Sequence, residues 1–152
     1  MPNKLIDILL VEDNPADVRL AQETLKDYKL QNTLHVARDG DEALQFVRRE
    51  GQYSDAPTPD MILLDITLPK MDAVEVLAAL QRDEKLRNIP VVVLTASAMD
   101  KGMLEHFNIS ADCLIMKPLT LESYLNAVRC FPQIGLSIVK IESRLSTGAS
   151  VA

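Results

Sequence analysis

Short apolar runs alternate with segments of helical periodicity along most of the chain. Five runs are apolar and rich in Leu or β-branched residues: 6–11 (IDILLV), 33–37 (TLHVA), 61–65 (MILLD), 91–95 (VVVLT) and 112–116 (DCLIM). Runs of this length and composition are typical of strands that are buried on both faces, as in a parallel sheet. The pattern therefore predicts five parallel strands.

Between these strands, apolar residues recur every three or four positions. This spacing predicts helices at 16–28, 41–49, 74–82, 99–107 and 121–131, with Thr120 placed to cap the last one. Alternating strands and helices build a doubly wound α/β domain, with helices on both faces of the sheet. We expect the flavodoxin-like strand order 2-1-3-4-5, in which ligands bind at the carboxyl ends of the strands beside the switch point between strands 1 and 3.

The 152 residues leave room for one domain with its own core. We assign residues 5–131 to this domain and 132–152 to a C-terminal extension that is partly ordered. Apolar residues at 134, 138, 141 and 145 form one helical stripe, which predicts a contact with the domain or with a second subunit. The connection 51–60 is rich in turn residues, so we expect an ordered loop that covers the far edge of the sheet.

Composition excludes several classes of protein. The formal net charge is −6 and Lys and Arg are scattered, which argues against a nucleic-acid surface. No apolar run reaches the roughly 18 residues that a membrane span needs. The N-terminus enters the first strand without the features of a secretory signal, which indicates a cytoplasmic location. His35 and His106 have no ligand-spaced neighbours and are expected at the surface or at a sheet edge.

Polar side chains stand at the carboxyl ends of four predicted strands: Glu12 and Asp13 after strand 1, Asp65 ending strand 3, Thr95 ending strand 4 and Lys117 after strand 5. Carboxylates from two adjacent strands repel one another and need a cation. Hard oxygen ligands with room for water and phosphate suit Mg²⁺. We predict that Asp13, Asp65, the backbone carbonyl of Thr67, and Glu12 directly or through water hold this ion.

Asp65 follows a buried run and precedes a loop, so its carboxylate is placed to attack phosphorus and become an aspartyl phosphate. The Lys117 ammonium and the Thr95 hydroxyl would bind oxygens of the transferring group. A cis bond before Pro118 would aim Lys117 into the site. Each residue alone also fits a structural role, such as a helix cap or a solvated turn; their coincidence at one end of one sheet favours the functional interpretation.

Four motifs together resemble the receiver domains of two-component response regulators: ILLVEDN (8–14), ILLDITLPKMD (62–72), VVVLTAS (91–97) and MKP (116–118). The resemblance spans 5–131. It implies that Asp65 is the phospho-acceptor, that Glu12 and Asp13 are the acidic pair, and that Thr95 and Lys117 are the switch hydroxyl and the phosphate-binding lysine. It also implies a histidine-kinase donor and Mg²⁺ dependence. The stretch EGQYSDAPTPDMILLD (50–65) resembles the small single-domain regulators that serve cyanobacterial and bacterial phytochrome kinases.

Three positions depart from the family pattern. Ala73 stands where many receivers have Gly, Leu114 stands where strand 5 often carries the aromatic switch residue, and Glu12 replaces Asp. The methylene added at Glu12 favours contact with the metal through water. Without an aromatic ring at Leu114, Thr95 would have to signal through the packing of loops and helices. The acceptor itself is unaffected.

Output by a receiver without a DNA-binding domain must be a protein contact. We expect a homodimer through the fourth predicted helix, the fifth strand, the fifth predicted helix and the C-terminal extension, with Tyr124 and Phe131 exposed on that face. The alternative is that these aromatic residues close the core. Phosphorylation would reshape the face by adding charge at Asp65.

These features predict a stand-alone response regulator in a phosphorelay, not an enzyme. A histidine kinase, possibly a phytochrome, would supply the phosphoryl group, and a downstream phosphotransfer or output protein would receive the signal. Two alternatives stay open. An aspartate-nucleophile phosphatase would need a second acid where Thr67 stands. A receiver-like scaffold that is never phosphorylated would not need Asp65, Thr95 and Lys117.

Overall fold

A five-stranded parallel sheet forms the centre of the molecule. The computed structural model describes residues 6–26, 32–66, 73–95 and 114–128. The strands are β1 (Ile6–Val11), β2 (Asn32–Ala37), β3 (Met61–Asp65), β4 (Val91–Thr95) and β5 (Leu114–Met116). They lie in the order β2-β1-β3-β4-β5, and every neighbouring pair is parallel. The predicted strands and the flavodoxin-like order are therefore confirmed.

Four helices belong to the described segments: α1 (Pro15–Lys26), α2 (Gly40–Arg48), α3 (Ala73–Arg82) and α4 (Leu121–Val128). Three correspond to the first three predicted helices, and α4 is the fifth predicted helix. The predicted helix at 99–107 and the extension 132–152 lie outside the described residues. Among the described segments, no helix combines the length and the apolar character that crossing a membrane requires.

The central strands are buried on both faces, which explains their uninterrupted apolar sequence. Successive residues of β1 point to opposite sides of the sheet: Ile8 and Leu10 pack in one core, and Leu9 and Val11 pack in the other. The first core also contains residues of α1 and α4, and the second contains residues of α2 and α3. The expected placement of helices on both faces is confirmed.

Tyr124 belongs to the first of these cores. Its side chain is only 1% exposed, and it packs with residues of α1 and of the central strands. Burial raises the pKa of the Tyr124 hydroxyl above its ordinary value. The expectation that Tyr124 is exposed on a dimerisation face is therefore wrong, and the alternative interpretation of this residue as part of the core is correct. Phe131 lies outside the described residues.

The chain turns sharply from β1 into α1. The Asn14 side chain accepts hydrogen bonds from the backbone N–H groups of Ala16, at 2.8 Å, and Asp17, at 3.3 Å. Pro15 is the first residue of the helix, where its missing N–H costs nothing. Because this cap starts α1 so soon after β1, Glu12 and Asp13 stay at the carboxyl end of the strand. An equivalent cap starts α4, where the Ser123 N–H donates to Thr120 Oγ1 at 3.1 Å.

The connection 51–60 folds back against α2. It begins with a short 3-10 helix, Gly51–Tyr53, and the Tyr53 ring packs against Phe46 with ring centroids 5.3 Å apart. The Tyr53 hydroxyl donates to Glu42, and burial together with this carboxylate raises the pKa of Tyr53 to about 12. At the end of the connection, the Asp60 N–H donates to the Asp7 carbonyl at 2.7 Å. The connection therefore ends at the amino end of β1, far from the predicted site.

Candidate functional site

The register of β1 against β3 places two acidic residues side by side. Val11 is paired with Leu64, so the next residues, Glu12 and Asp65, leave the sheet at the same edge. Glu12 still belongs to the hydrogen-bonded ladder on its other side, because its N–H donates to the Ala37 carbonyl at 2.9 Å. Both side chains are buried although they are acidic, which is uncommon unless a partner compensates the charge.

Glu12, Asp13 and Asp65 form an acidic cluster. Each offers a carboxylate oxygen, and these oxygens all lie within 4.8 Å of one another. Asp13 is exposed, so the cluster opens to solvent on its side. Glu12 Oε2 is buried and has no hydrogen-bond partner in the part of the chain that the structure describes. A buried oxygen without a donor beside two other carboxylates is a suitable ligand for a hard divalent cation.

The protonation of Glu12 reflects its surroundings. Burial, followed by the adjacent Asp65 carboxylate, raises the pKa of Glu12 to about 7, against the opposing effect of Lys117. Full ionisation of the acidic cluster is therefore unfavourable when no cation is bound, because Glu12 and Asp65 are buried and their negative charges repel one another.

Lys117 supplies the positive charge of the site. Its Nζ donates to Glu12 Oε1 at 2.8 Å, and it lies 3.2 Å from Asp65 Oδ2 and 3.2 Å from Asp17 Oδ2. Burial alone would lower the pKa of Lys117, but the Glu12 hydrogen bond, the Asp65 charge and the Asp17 hydrogen bond outweigh burial and raise it above its ordinary value. The ammonium is therefore fully charged at neutral pH.

Two backbone features are found at Lys117. The peptide bond between Lys117 and Pro118 is cis, as expected from the sequence. The Lys117 N–H donates to the Thr95 carbonyl at 2.7 Å, which ties the end of β5 to the end of β4. Thr95 is itself fully buried and is the last residue of β4.

The structure thus brings together five of the six residues that the sequence predicts for the site: Glu12, Asp13, Asp65, Thr95 and Lys117. The sixth, Thr67, lies outside the described residues. Sequence reasoning missed Asp17, which contacts Lys117 from the first turn of α1. The signal available in the sequence was an acidic residue one helical turn after the acidic pair.

Comparison with known proteins identifies the family. The family model of the response regulator receiver domain matches residues 8–129. The chain therefore belongs to the receiver domain family, and it is a receiver-domain response regulator of two-component signalling. The family assignment agrees with the resemblance carried by the four sequence motifs.

Three relatives are similar over most of their length. Response regulator Rcp1 of Synechocystis sp. (strain ATCC 27184 / PCC 6803 / Kazusa) is 38% identical over 134 residues, which cover 88% of this chain and 91% of Rcp1. Its Mn²⁺-bound structure gives a TM-score of 0.69 at 38% identity, covering 83% of this chain and 93% of that chain. The structure of the bacteriophytochrome response regulator AtBRR gives a TM-score of 0.77 at 37% identity, and the match covers 84% of this chain and 92% of AtBRR. The structure of the phosphorylated cyanobacterial phytochrome response regulator RcpA gives a TM-score of 0.69 at 40% identity, and the match covers 82% of this chain and 90% of RcpA.

Proposed function

We propose that this response regulator accepts a phosphoryl group on the Asp65 carboxylate. The observation that carries the proposal is the position of this carboxylate: the side chain is 4% exposed, and its oxygens lie 3.2 Å from the Lys117 ammonium and within 4.8 Å of the Glu12 and Asp13 oxygens. A buried nucleophile with a cation on one side and a cluster of cation ligands on the other is suited to phosphoryl transfer, which depends mainly on positioning and charge neutralisation.

The chemistry needs no general base, because an ionised carboxylate has no proton to lose. An Asp65 oxygen attacks the phosphorus of the donor, the new O–P bond forms, and the bond from phosphorus to the donor's leaving group breaks. Lys117 donates to an oxygen of the transferring group, and the charge that builds up there is stabilised at short range. The Thr95 hydroxyl, at the end of the strand next to β3, is the second protein donor that we assign to these oxygens.

Mg²⁺ is the cofactor that we assign to the acidic cluster. Glu12, Asp13 and Asp65 would hold it, and a bound divalent cation neutralises the carboxylates and the phosphoryl oxygens together. Glu12 Oε2, which has no hydrogen-bond partner among the described residues, supports this assignment, as does the existence of a Mn²⁺-bound structure of Rcp1. The backbone carbonyl of Thr67 stays a predicted ligand.

A histidine kinase is the donor that we propose, and the two phytochrome response regulators among the relatives support a phytochrome as that kinase. The output would be a protein contact, because the net charge of −6 disfavours nucleic acid. Homodimerisation stays a prediction: Met116 on β5 is 45% exposed and available to a partner, whereas Tyr124 is not. Residues 5–131 form the proposed receiver, with 132–152 as its extension.

Incubation with acetyl phosphate and Mg²⁺, followed by intact-mass measurement, tests the proposal. We expect one phosphoryl group on the native chain and none on Asp65→Asn. Asp60→Asn is a matched control, because Asp60 lies at the opposite end of the same strand and its amide still accepts the Asp7 N–H; this variant is labelled like the native chain. Labelling that survives in Asp65→Asn, or that is absent from the native chain, contradicts the proposal. The same incubation in the presence of a chelator tests the metal, and we expect labelling to be lost.

A further inference from the structure

The Lys117 ammonium has a third carboxylate partner that the proposed chemistry does not use. An ammonium carries three N–H donors, and three carboxylates face this one: Glu12 at 2.8 Å, Asp65 at 3.2 Å and Asp17 at 3.2 Å. They come from three different elements, since Glu12 follows β1, Asp65 ends β3 and Asp17 lies in the first turn of α1. The ammonium is therefore held from three sides.

The three partners differ in exposure. The Glu12 and Asp65 side chains are 1% and 4% exposed, whereas the Asp17 side chain is 38% exposed. Asp17 is thus the partner on the solvent side of the ammonium. A cavity lined by Lys117, Asp17 and Glu12 measures about 10 Å³, and its other lining residues are apolar: Leu20, Ala21, Leu94, Pro118 and Leu119. This volume is at the lower limit for one water molecule, and the contact between Lys117 Nζ and Asp17 Oδ2 is direct, at 3.2 Å.

We propose that Asp17 is a positioning residue for phosphoryl transfer. Together with Glu12 it fixes two of the three donors of Lys117, so that the third points at Asp65 and at the phosphoryl oxygens that form there. The inference rests on the proposed phospho-acceptor role of Asp65. The competing explanation is structural: an acidic residue in the first turn stabilises the positive end of the helix, and the Asp17 N–H is already part of the Asn14 cap.

Substitution of Asp17 separates these roles through the kinetics of labelling. Asp17→Ala removes both the oxygen and the charge, and we expect the maximal rate with acetyl phosphate to fall about two- to fivefold, the size of effect that a partly exposed ion pair supports. Because a negative charge near the incoming anion is also removed, KM for acetyl phosphate does not rise. Asp17→Asn keeps an oxygen acceptor but loses the charge, so we expect its maximal rate to lie between those of the native chain and Asp17→Ala.

Two control variants remove acidic residues that do not contact Lys117. Asp41→Asn removes the exposed first-turn carboxylate of α2, and Glu23→Gln removes an exposed carboxylate of α1 that pairs with Arg19. Both keep the native rate. A double-mutant cycle on unfolding, with Asp17→Asn, Lys117→Met and the double variant, tests the contact itself: we expect non-additive shifts for this pair and additive shifts when Glu23→Gln replaces Asp17→Asn.

The outcomes distinguish the proposed phospho-acceptor function of Asp65 from the positioning role of Asp17. If the native chain is not labelled, the proposed function fails, and the unfolding cycle still decides whether Asp17 and Lys117 interact. If the native chain is labelled and both Asp17 variants react at its maximal rate, only the positioning role is overturned. Additive unfolding shifts for Asp17 and Lys117 overturn it as well, and so does an equal loss of rate in Asp41→Asn.

Discussion

Lys117 Nζ lies 3.2 Å from Asp65 Oδ2, although Lys117 follows β5, Asp65 ends β3, and these two strands are separated in the sheet by β4. The lysine therefore reaches across the end of the strand that carries Thr95. This arrangement places a full positive charge beside the proposed acceptor before any phosphate arrives, so no reorganisation is needed to stabilise the charge that develops during transfer.

Loss of this charge should slow phosphorylation without abolishing folding. We expect Lys117→Met to reduce the initial rate of labelling by acetyl phosphate by roughly 10²- to 10³-fold, the range found when one preorganised donor is removed. Intact mass measured over time gives the rate. A Lys117→Met variant that is labelled at the native rate would show that the ammonium does not contact the transferring group.

The raised pKa of Glu12 makes stability depend on pH. Burial and the neighbouring Asp65 raise the pKa of Glu12 from its usual 4.5 to about 7. In metal-free protein, the folded state therefore binds a proton at Glu12 that the unfolded state has already released between these two values. The stabilisation from this proton is complete below pH 4.5 and is lost as the pH rises to about 7.

Glu12→Gln should remove this dependence, because the amide is neutral throughout. Urea unfolding in a chelator, at several pH values, gives the free energy of unfolding of both proteins. We expect the native chain to lose stability relative to Glu12→Gln as the pH rises through this window. Parallel pH profiles would mean that the pKa of Glu12 is not raised.

Tyr124 should behave as a core residue and not as an interface residue. Because the side chain is 1% exposed, we expect Tyr124→Ala to lower the free energy of unfolding by about 3–5 kcal/mol, as for other large buried aromatic residues. Urea unfolding measures this loss. A variant with native stability and an altered oligomeric state by light scattering would instead favour an exposed Tyr124.

Arg49 caps the C-terminus of α2 with its backbone in the left-handed region, at φ of 56°. Its guanidinium donates to Thr58 Oγ1 at 3.2 Å. Both Arg49→Gly and Arg49→Ala delete this contact, so the two variants differ mainly in the backbone. We expect Arg49→Gly to be the more stable by about 1 kcal/mol, because glycine adopts this conformation without a steric penalty. Equal thermal stability of the two variants would contradict the assigned conformation.

The sheet and most of the site could be predicted from the sequence because they depend on local patterns. Apolar runs identify the strands, and the carboxyl ends of parallel strands share one edge, which brings Glu12, Asp65 and Lys117 together. The contact of Asp17 with Lys117 could not be predicted in this way. Asp17 lies one helical turn after the acidic pair, but its 3.2 Å contact with Lys117 depends on tertiary packing that no pattern within α1 or β5 encodes.

Tyr124 shows a second limit of sequence reasoning. Its hydroxyl and its place on an amphipathic helix are compatible with either face, and only packing against α1 and the central strands decides between them. Thr67, the predicted helix at 99–107 and the extension 132–152 stay predictions, because they lie outside the described residues.

The acceptor is tested most directly by locating the phosphoryl group chemically. Borohydride reduces an aspartyl phosphate to homoserine, so the labelled native chain can be reduced, digested and sequenced by mass spectrometry. We predict homoserine at position 65 after treatment with acetyl phosphate and Mg²⁺, and aspartate at position 65 in the untreated sample. Homoserine at another aspartate, with position 65 unchanged, would contradict this prediction.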